Sequence, residues 1–210
     1  MTETQTKLLD AAERLFGEQG YAGTSLRHII AEAGVNLAAI HYHFGSKEVL
    51  LDQLIMRRTG PVNEERMALL DRFEAEAHGA PVSLEKILQA FLEPPFLRIA
   101  KRPDLALFMG RIYGEGLMPA IAEKHFRHVI TRFFAAMGRA LPELTPSELA
   151  VRGQFLIGAM AHTLCFALPG AKLPGPPVCA DSTVLLRELI AFLSGGLRAP
   201  AALPKSTEEM

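Results

Sequence analysis

TSLRHIIAEAGVNLAAIHYHFGSKEVLLDQL, residues 24–54, contains three helix starts in quick succession. Thr24 or Ser25 offers an N-cap, Leu26, Ile29, Ile30 and Ala33 recur on one face, and Gly34 stands where a helix needs a left-handed stop. That predicts a helix of about two turns. Behind Gly34, Asn36 can cap a short helix running through Tyr42 or His43. Ser46 then caps another, with the Glu48 carboxylate in its first turn, where the helix dipole favours an anion. Upstream, Leu8, Leu9, Ala11, Ala12, Leu15 and Phe16 share helical spacing across residues 4–18, with Thr4 or Thr6 available as a cap and Gly20 closing the segment.

Two short helices joined by a glycine turn have the layout of a helix-turn-helix, whose second helix enters the major groove of double-stranded DNA. On that second helix Val35 and Ile40 can point inward with Phe44. This leaves Asn36, Ala38, Ala39, His41, Tyr42 and His43 for solvent or DNA. The small Ala38 and Ala39 permit close approach to base edges and to a thymine methyl. Ser25, Arg27, His41, Tyr42, His43 and Lys47 carry donors suited to phosphate oxygens. A metal at His41 and His43 is disfavoured, because ligands two apart on a helix diverge.

LLDAAERLF, GYAGTSLRHIIAEAGV and NLAAIHYHFGSKEVLLDQL, in that order over residues 4–56, resemble the DNA-binding domain of the TetR family of bacterial repressors. The resemblance implies that the Tyr42 ring packs partly under its helix and that Lys47 holds the DNA backbone. It also implies a variable helical C-terminal domain that binds a small molecule and forms a homodimer through its last two long helices. Such a dimer would read a palindromic operator with half-sites about 34–36 Å apart. The division expected is 1–56 for DNA, 57–200 for ligand and dimer, and 201–210 as a flexible tail.

From Pro61 onward the pattern stays helical and predicts helices near 62–78, 83–101, 103–114, 117–140, 145–168 and 182–198. Breaks fall at HGAP, KRPD, EGLMP, LPELTPSE and PGAKLPGPPVC. Ser83 can open one helix, and TPSE, with Pro146 at the first position and Glu148 three residues after Thr145, is a capping box. No strand alternation or internal repeat is present. The expected fold is all-α with about nine to ten helices.

Large apolar side chains crowd the second half. Phe91, Phe96, Phe108, Met109, Ile112, Phe133, Met137, Phe155 and Met160 are candidates to line a ligand pocket, although stripes of this kind also build ordinary cores. Arg111, in an apolar segment, needs a partner. That partner is either the head group of an anionic ligand or a carboxylate such as Glu115. Gln154, Gly158, Ala161, Leu185, Leu189 and Phe192 are the candidate dimer contacts. Residues 96–164 are similar to the fatty-acid-responsive PsrA subgroup of the TetR family, which implies a small apolar effector such as a fatty acid or its CoA thioester.

Composition narrows the alternatives. With 49% hydrophobic and 21% charged residues the chain has an ordinary globular balance, and no run is long enough to span a membrane. A cytoplasmic protein with no membrane partner is expected. The net charge of −1 argues against coating nucleic acid by bulk electrostatics. Two cysteines give neither a disulfide framework nor a zinc site, and His125–His128 and His162–Cys165 lack further ligands, so no metal or cofactor is expected. No nucleophile elbow, P-loop, zincin or dinucleotide fingerprint occurs, and no catalytic residue is assigned. The alternative is a helical ligand-binding or protein-interaction module whose head does not read DNA.

Overall fold

Thr2 and Gln5 cap each other's backbone and start the first helix, two residues earlier than Thr4. The Gln5 amide donates to the Thr2 hydroxyl at 3.2 Å and the Thr2 amide to the Gln5 side chain at 2.8 Å. The computed structural model describes residues 1–36, 42–167 and 181–200, and every regular element among them is helical. Helix α1 is Glu3–Gly23, α2 Leu26–Ala33, α3 Lys47–Glu76, α4 Leu84–Ala100, α5 Pro103–Gly114, α6 Met118–Ile121, α7 Arg127–Ala140, α8 Pro146–His162 and α9 Ser182–Arg198. Wide π turns at Ala122–Phe126 and Thr163–Ala167 join α6 to α7 and extend α8.

Local capping behaves as the residue types require. Ser25 accepts the His28 amide, Gly34 ends α2 with φ 64 and ψ 34, Ser46 accepts the Val49 amide, and Thr145 with Glu148 closes the expected capping box. Ser83 sits at its N-cap without a side-chain cap bond. In α1, Gly20 leaves the helical region at φ 80 and ψ 163. Thr24 seals that bend by donating from its hydroxyl to the carbonyls of Gly20 at 2.7 Å and Leu15 at 3.2 Å.

The helix expected to begin at residue 62 does not exist as a separate element. Pro61 lies inside the thirty-residue α3. An interior proline costs about 3 kcal/mol, but Leu54, Ile55, Val62 and Leu70 are buried on both sides of it. Each such side chain returns about 1.5–3 kcal/mol. Tertiary burial therefore outweighs the local break. Among the described residues there are consequently eight helices of eight or more residues, slightly below the expected nine to ten. The helix expected from Asn36 has residues 37–41 outside the described set, as do Cys179 and the tail at 201–210.

One core runs the length of the molecule. Phe16 of α1 stacks on Phe108 of α5 at 6.5 Å, and Phe91 of α4 meets Phe133 of α7 at 5.1 Å. Helix α4 packs against α3, α7 and α9, while α1 lies along α5. These contacts leave α3 leading from the helix-turn-helix into the C-terminal bundle.

Candidate functional site

The N-terminal head is fastened together by its own charges. Arg14 pairs with Glu32, Arg57 with Asp10 at 2.8 Å, and Lys7 with Glu3 at 2.8 Å. Buried Glu13 receives Arg58, whose Nε donates at 2.9 Å, and Arg102 at 3.4 Å. Within residues 1–60, Arg27 is the one cation with no hydrogen bond or ion pair among the described residues. It is exposed beside Ser25 at the start of α2.

Lys47, expected to hold the DNA backbone, also serves the protein's own backbone. Its Nζ donates to the carbonyls of Tyr21 at 2.9 Å and Thr24 at 3.0 Å and lies 4.2 Å from the centre of the Tyr21 ring. The Tyr21 hydroxyl donates to Glu48 at 3.2 Å, and burial together with the Glu48 charge pushes its phenol up to about 12. The first turn of α3 thus closes over the carbonyl end of α1, because a buried helix terminus needs donors. Tyr42 is 85% exposed, not packed under its helix. Its edge meets His43 at 5.0 Å, while Phe44 is buried and anchors the segment. Asn36 is exposed; Ala38, Ala39 and His41 lie outside the described residues.

A cavity of about 210 Å³ opens between α3, α4, α5, α7 and α8. Val62, Phe91, Ile99, Met109, Val129, Ile157, Met160 and Leu164 make most of its wall. Thr59, Arg66, Tyr113, Gln154 and Cys165 are the polar residues of the lining, and Arg58 and Arg98 border it. Burial raises the Tyr113 phenol, and it pushes the Cys165 thiol up to about 11, so both are neutral at pH 7. Arg58 is matched by Glu13 and Arg98 by Glu65.

Of the residues expected to line a pocket, Phe91, Met109 and Met160 do so. Phe96, Phe108 and Ile112 are instead fully buried in helix–helix packing. Phe133 and Met137 border a crevice of about 10 Å³, no larger than a water site. Phe155 faces outward at 68% exposure.

Arg111 points away from the cavity toward α1, where it donates to the carbonyls of Gly17 and Glu18 at 3.3 Å each. Glu115 is not its ion-pair partner. That carboxylate accepts the amides of Tyr21 at 2.8 Å and Ala22 at 2.9 Å, immediately after the Gly20 bend.

Gln154 and Ala161, expected at a dimer surface, border the cavity, and Leu189 is buried within the chain. Leu185 is half-buried. Gly158 is exposed, and Phe192 is 73% exposed.

Arg66 was overlooked in the sequence because NEER reads as a solvated face. It is 3% exposed. Its Nε donates to the Phe91 carbonyl at 2.7 Å, its Nη1 to Asn63 Oδ1 at 3.2 Å, and its Nη2 lies 3.5 Å from Met160 Sδ. The signal that could have revealed it is Pro95. Proline has no N–H, so the Phe91 carbonyl four residues earlier has no helical donor and needs one from elsewhere.

Residues 8–54 match the family described as bacterial regulatory proteins of the tetR family, and residues 89–196 match the tetracyclin repressor-like C-terminal domain. The chain belongs to the TetR family. It is a transcriptional regulator with a DNA-binding helix-turn-helix and a ligand-binding C-terminal domain. The HTH-type transcriptional regulator AcrR of Shigella flexneri is 36% identical over 161 residues, covering 74% of this chain and 73% of AcrR.

Solved structures of the same TetR fold include a tetR-family regulatory protein from Rhodococcus RHA1. Its TM-score is 0.66 at 14% identity, over 96% of this chain and 100% of that one. The fatty acid degradation regulator FadR from Bacillus halodurans has a TM-score of 0.62 at 20% identity, over 95% and 99%. Among the described residues no helix is long and apolar enough to cross a membrane.

Proposed function

We propose that this TetR-family regulator is a homodimeric repressor, released from a palindromic operator when a small, largely apolar effector fills the cavity. One observation carries the reading. Helix α3 contributes Lys47 to the closure of the head at one end, and Thr59, Val62 and Arg66 to the cavity wall further along. A ligand that prefers one placement of α3 therefore biases the head. A coupling of about 1–3 kcal/mol would change DNA occupancy 5- to 150-fold. In this reading residues 1–56 hold the DNA and 57–200 the effector and dimer contacts, with α3 crossing the boundary.

Ser25, Arg27, Asn36, Ala38, Ala39, His41, Tyr42 and His43 are the proposed DNA contacts, with Lys47 beside them at the start of α3. The exposed Val151, Phe155 and Phe192, with exposed Gly158, on α8 and α9 form the proposed dimer face, since large apolar side chains left on a surface favour an interface. At about 210 Å³ the cavity falls below the usual 300–1,000 Å³ of small-molecule sites, which favours a compact effector over a whole acyl-CoA.

The test is selection of bound DNA from a random pool, followed by titration of the selected DNA at several salt concentrations. A palindrome with half-sites one helical turn apart supports the repressor reading. The mutual pairing of head cations favours one rival, a protein-interaction module. Failure to enrich any sequence at low salt would put that rival first.

A further inference from the structure

We propose that the cavity takes a compact apolar molecule bearing a single carboxylate, and that Arg66 is its counter-ion. The inference rests on the cavity being the effector site. Arg66 is the cavity's buried cation without a counter-charge: Arg58 meets Glu13 and Arg98 meets Glu65, but Arg66 makes no ion pair among the described residues. A buried charge left unpaired is costly, and an anionic guest removes that cost on binding.

The arginine's own contacts explain how it is held without being neutralised. Pro95 leaves the Phe91 carbonyl without its helical donor, and Arg66 Nε supplies one at 2.7 Å while the guanidinium lies over the Phe91 ring at 4.2 Å. Among the described residues the two terminal nitrogens meet only an amide oxygen at 3.2 Å and a thioether sulfur at 3.5 Å, the latter a weak acceptor. A guanidinium fixed by Nε and presenting both terminal nitrogens is the fork that binds a carboxylate with two parallel hydrogen bonds. Burial lowers Arg66 to about 10, which still leaves it charged at pH 7.

The rest of the wall fits the same guest. Arg98 Nε, on a residue bordering the cavity, is a buried donor with no partner. Val62, Met109, Val129 and Ile157 accept an apolar body, and among the described residues no Asp or Glu side chain borders the space to repel an anion.

Calorimetric titration of the full chain with octanoate, octanol and octylammonium separates the possibilities. Octanoate should bind about 10- to 100-fold more tightly than octanol, as charge-assisted hydrogen bonds require. Octylammonium should show no heat. In Arg66→Met the octanoate affinity should fall to that of octanol, whose own affinity stays within about threefold. Arg66→Lys, which keeps the charge, should retain part of the preference and stands in if the methionine variant does not fold.

Equal binding of octanoate and octanol by the wild type, or an undiminished preference in Arg66→Met, overturns the counter-ion assignment and leaves the cavity as an effector site. If none of the three binds the wild type, the carboxylate assignment falls; if octanoate binds the wild type and Ile157→Trp, whose indole fills the cavity, equally well, the ligand sits elsewhere and the effector-site reading fails as well.

Discussion

Arg27 and Lys47 are both cations of the head, but they differ in how far the protein itself engages them. Lys47 is committed to two carbonyls of the protein, whereas Arg27 is unpaired among the described residues. Arg27→Ala should weaken operator binding and make the slope of log affinity against log salt shallower by about one. Lys47→Met should cost about 1–3 kcal/mol of folding stability and leave that slope intact. Loss of a unit of slope in Lys47→Met would return that lysine to the DNA. Gly20 is a second decisive position: its φ of 80 disfavours any side chain, and an added Cβ would run into the Glu115 carboxylate. Gly20→Ala should lower stability by at least about 2 kcal/mol in denaturant unfolding.

Helix α5 has two working faces. Met109 and Tyr113 border the cavity, while Arg111 and Glu115 hold the backbone of α1 around its bend. Glu115→Gln removes an anionic acceptor from two amides, so hydrogen exchange at Tyr21 and Ala22 should accelerate. Effector-induced release should weaken more than DNA binding itself; equal losses in both would show that α5 merely supports the fold.

What could be seen in the chain beforehand follows the reach of the interactions. Caps at Ser25, Gly34, Ser46 and Thr145 depend on residues within one turn, and sequence spacing displays them directly. Pro61 misled because the burial that carries α3 through it comes from other helices. The contacts of Arg66 and Lys47 were not legible for the same reason, since the carbonyls they serve lie far along the chain and no periodicity announces them. Arg111 was correctly seen to need a partner, but that partner was the backbone of α1, which neither an anion nor Glu115 suggested.

The ends of the C-terminal bundle are tied by Glu85 of α4 and Arg198 of α9, whose second hydrogen bond is 3.0 Å. The Arg198 hydrogen bond holds the Glu85 carboxyl down at about 2, from an ordinary 4.5. This contribution to stability is complete above pH about 4.5 and disappears as pH falls toward about 2. Both side chains are half-exposed, so after screening it amounts to less than about 1 kcal/mol. Urea titrations should show a shallower loss of stability between pH 5 and 2 in Arg198→Ala than in the wild type.

On α8 and α9, Phe155 and Phe192 stand 68% and 73% exposed. Phe155→Glu with Phe192→Glu should convert a sedimenting dimer into a folded monomer with much weaker operator affinity. An unchanged sedimentation coefficient would move the interface elsewhere.

The hydrogen bond from Arg66 to the carbonyl left open by Pro95 also bears on how this protein can diverge. Replacing Arg66 alone leaves the Phe91 carbonyl without a donor, and replacing Pro95 alone gives that carbonyl a second one, whereas exchanging both at once restores the helical hydrogen bond at Phe91 and empties the cavity of its unpaired cation. Positions 66 and 95 should therefore be inherited as a pair, and descendants that have lost the proline are the ones free to change the sign of the molecule they sense.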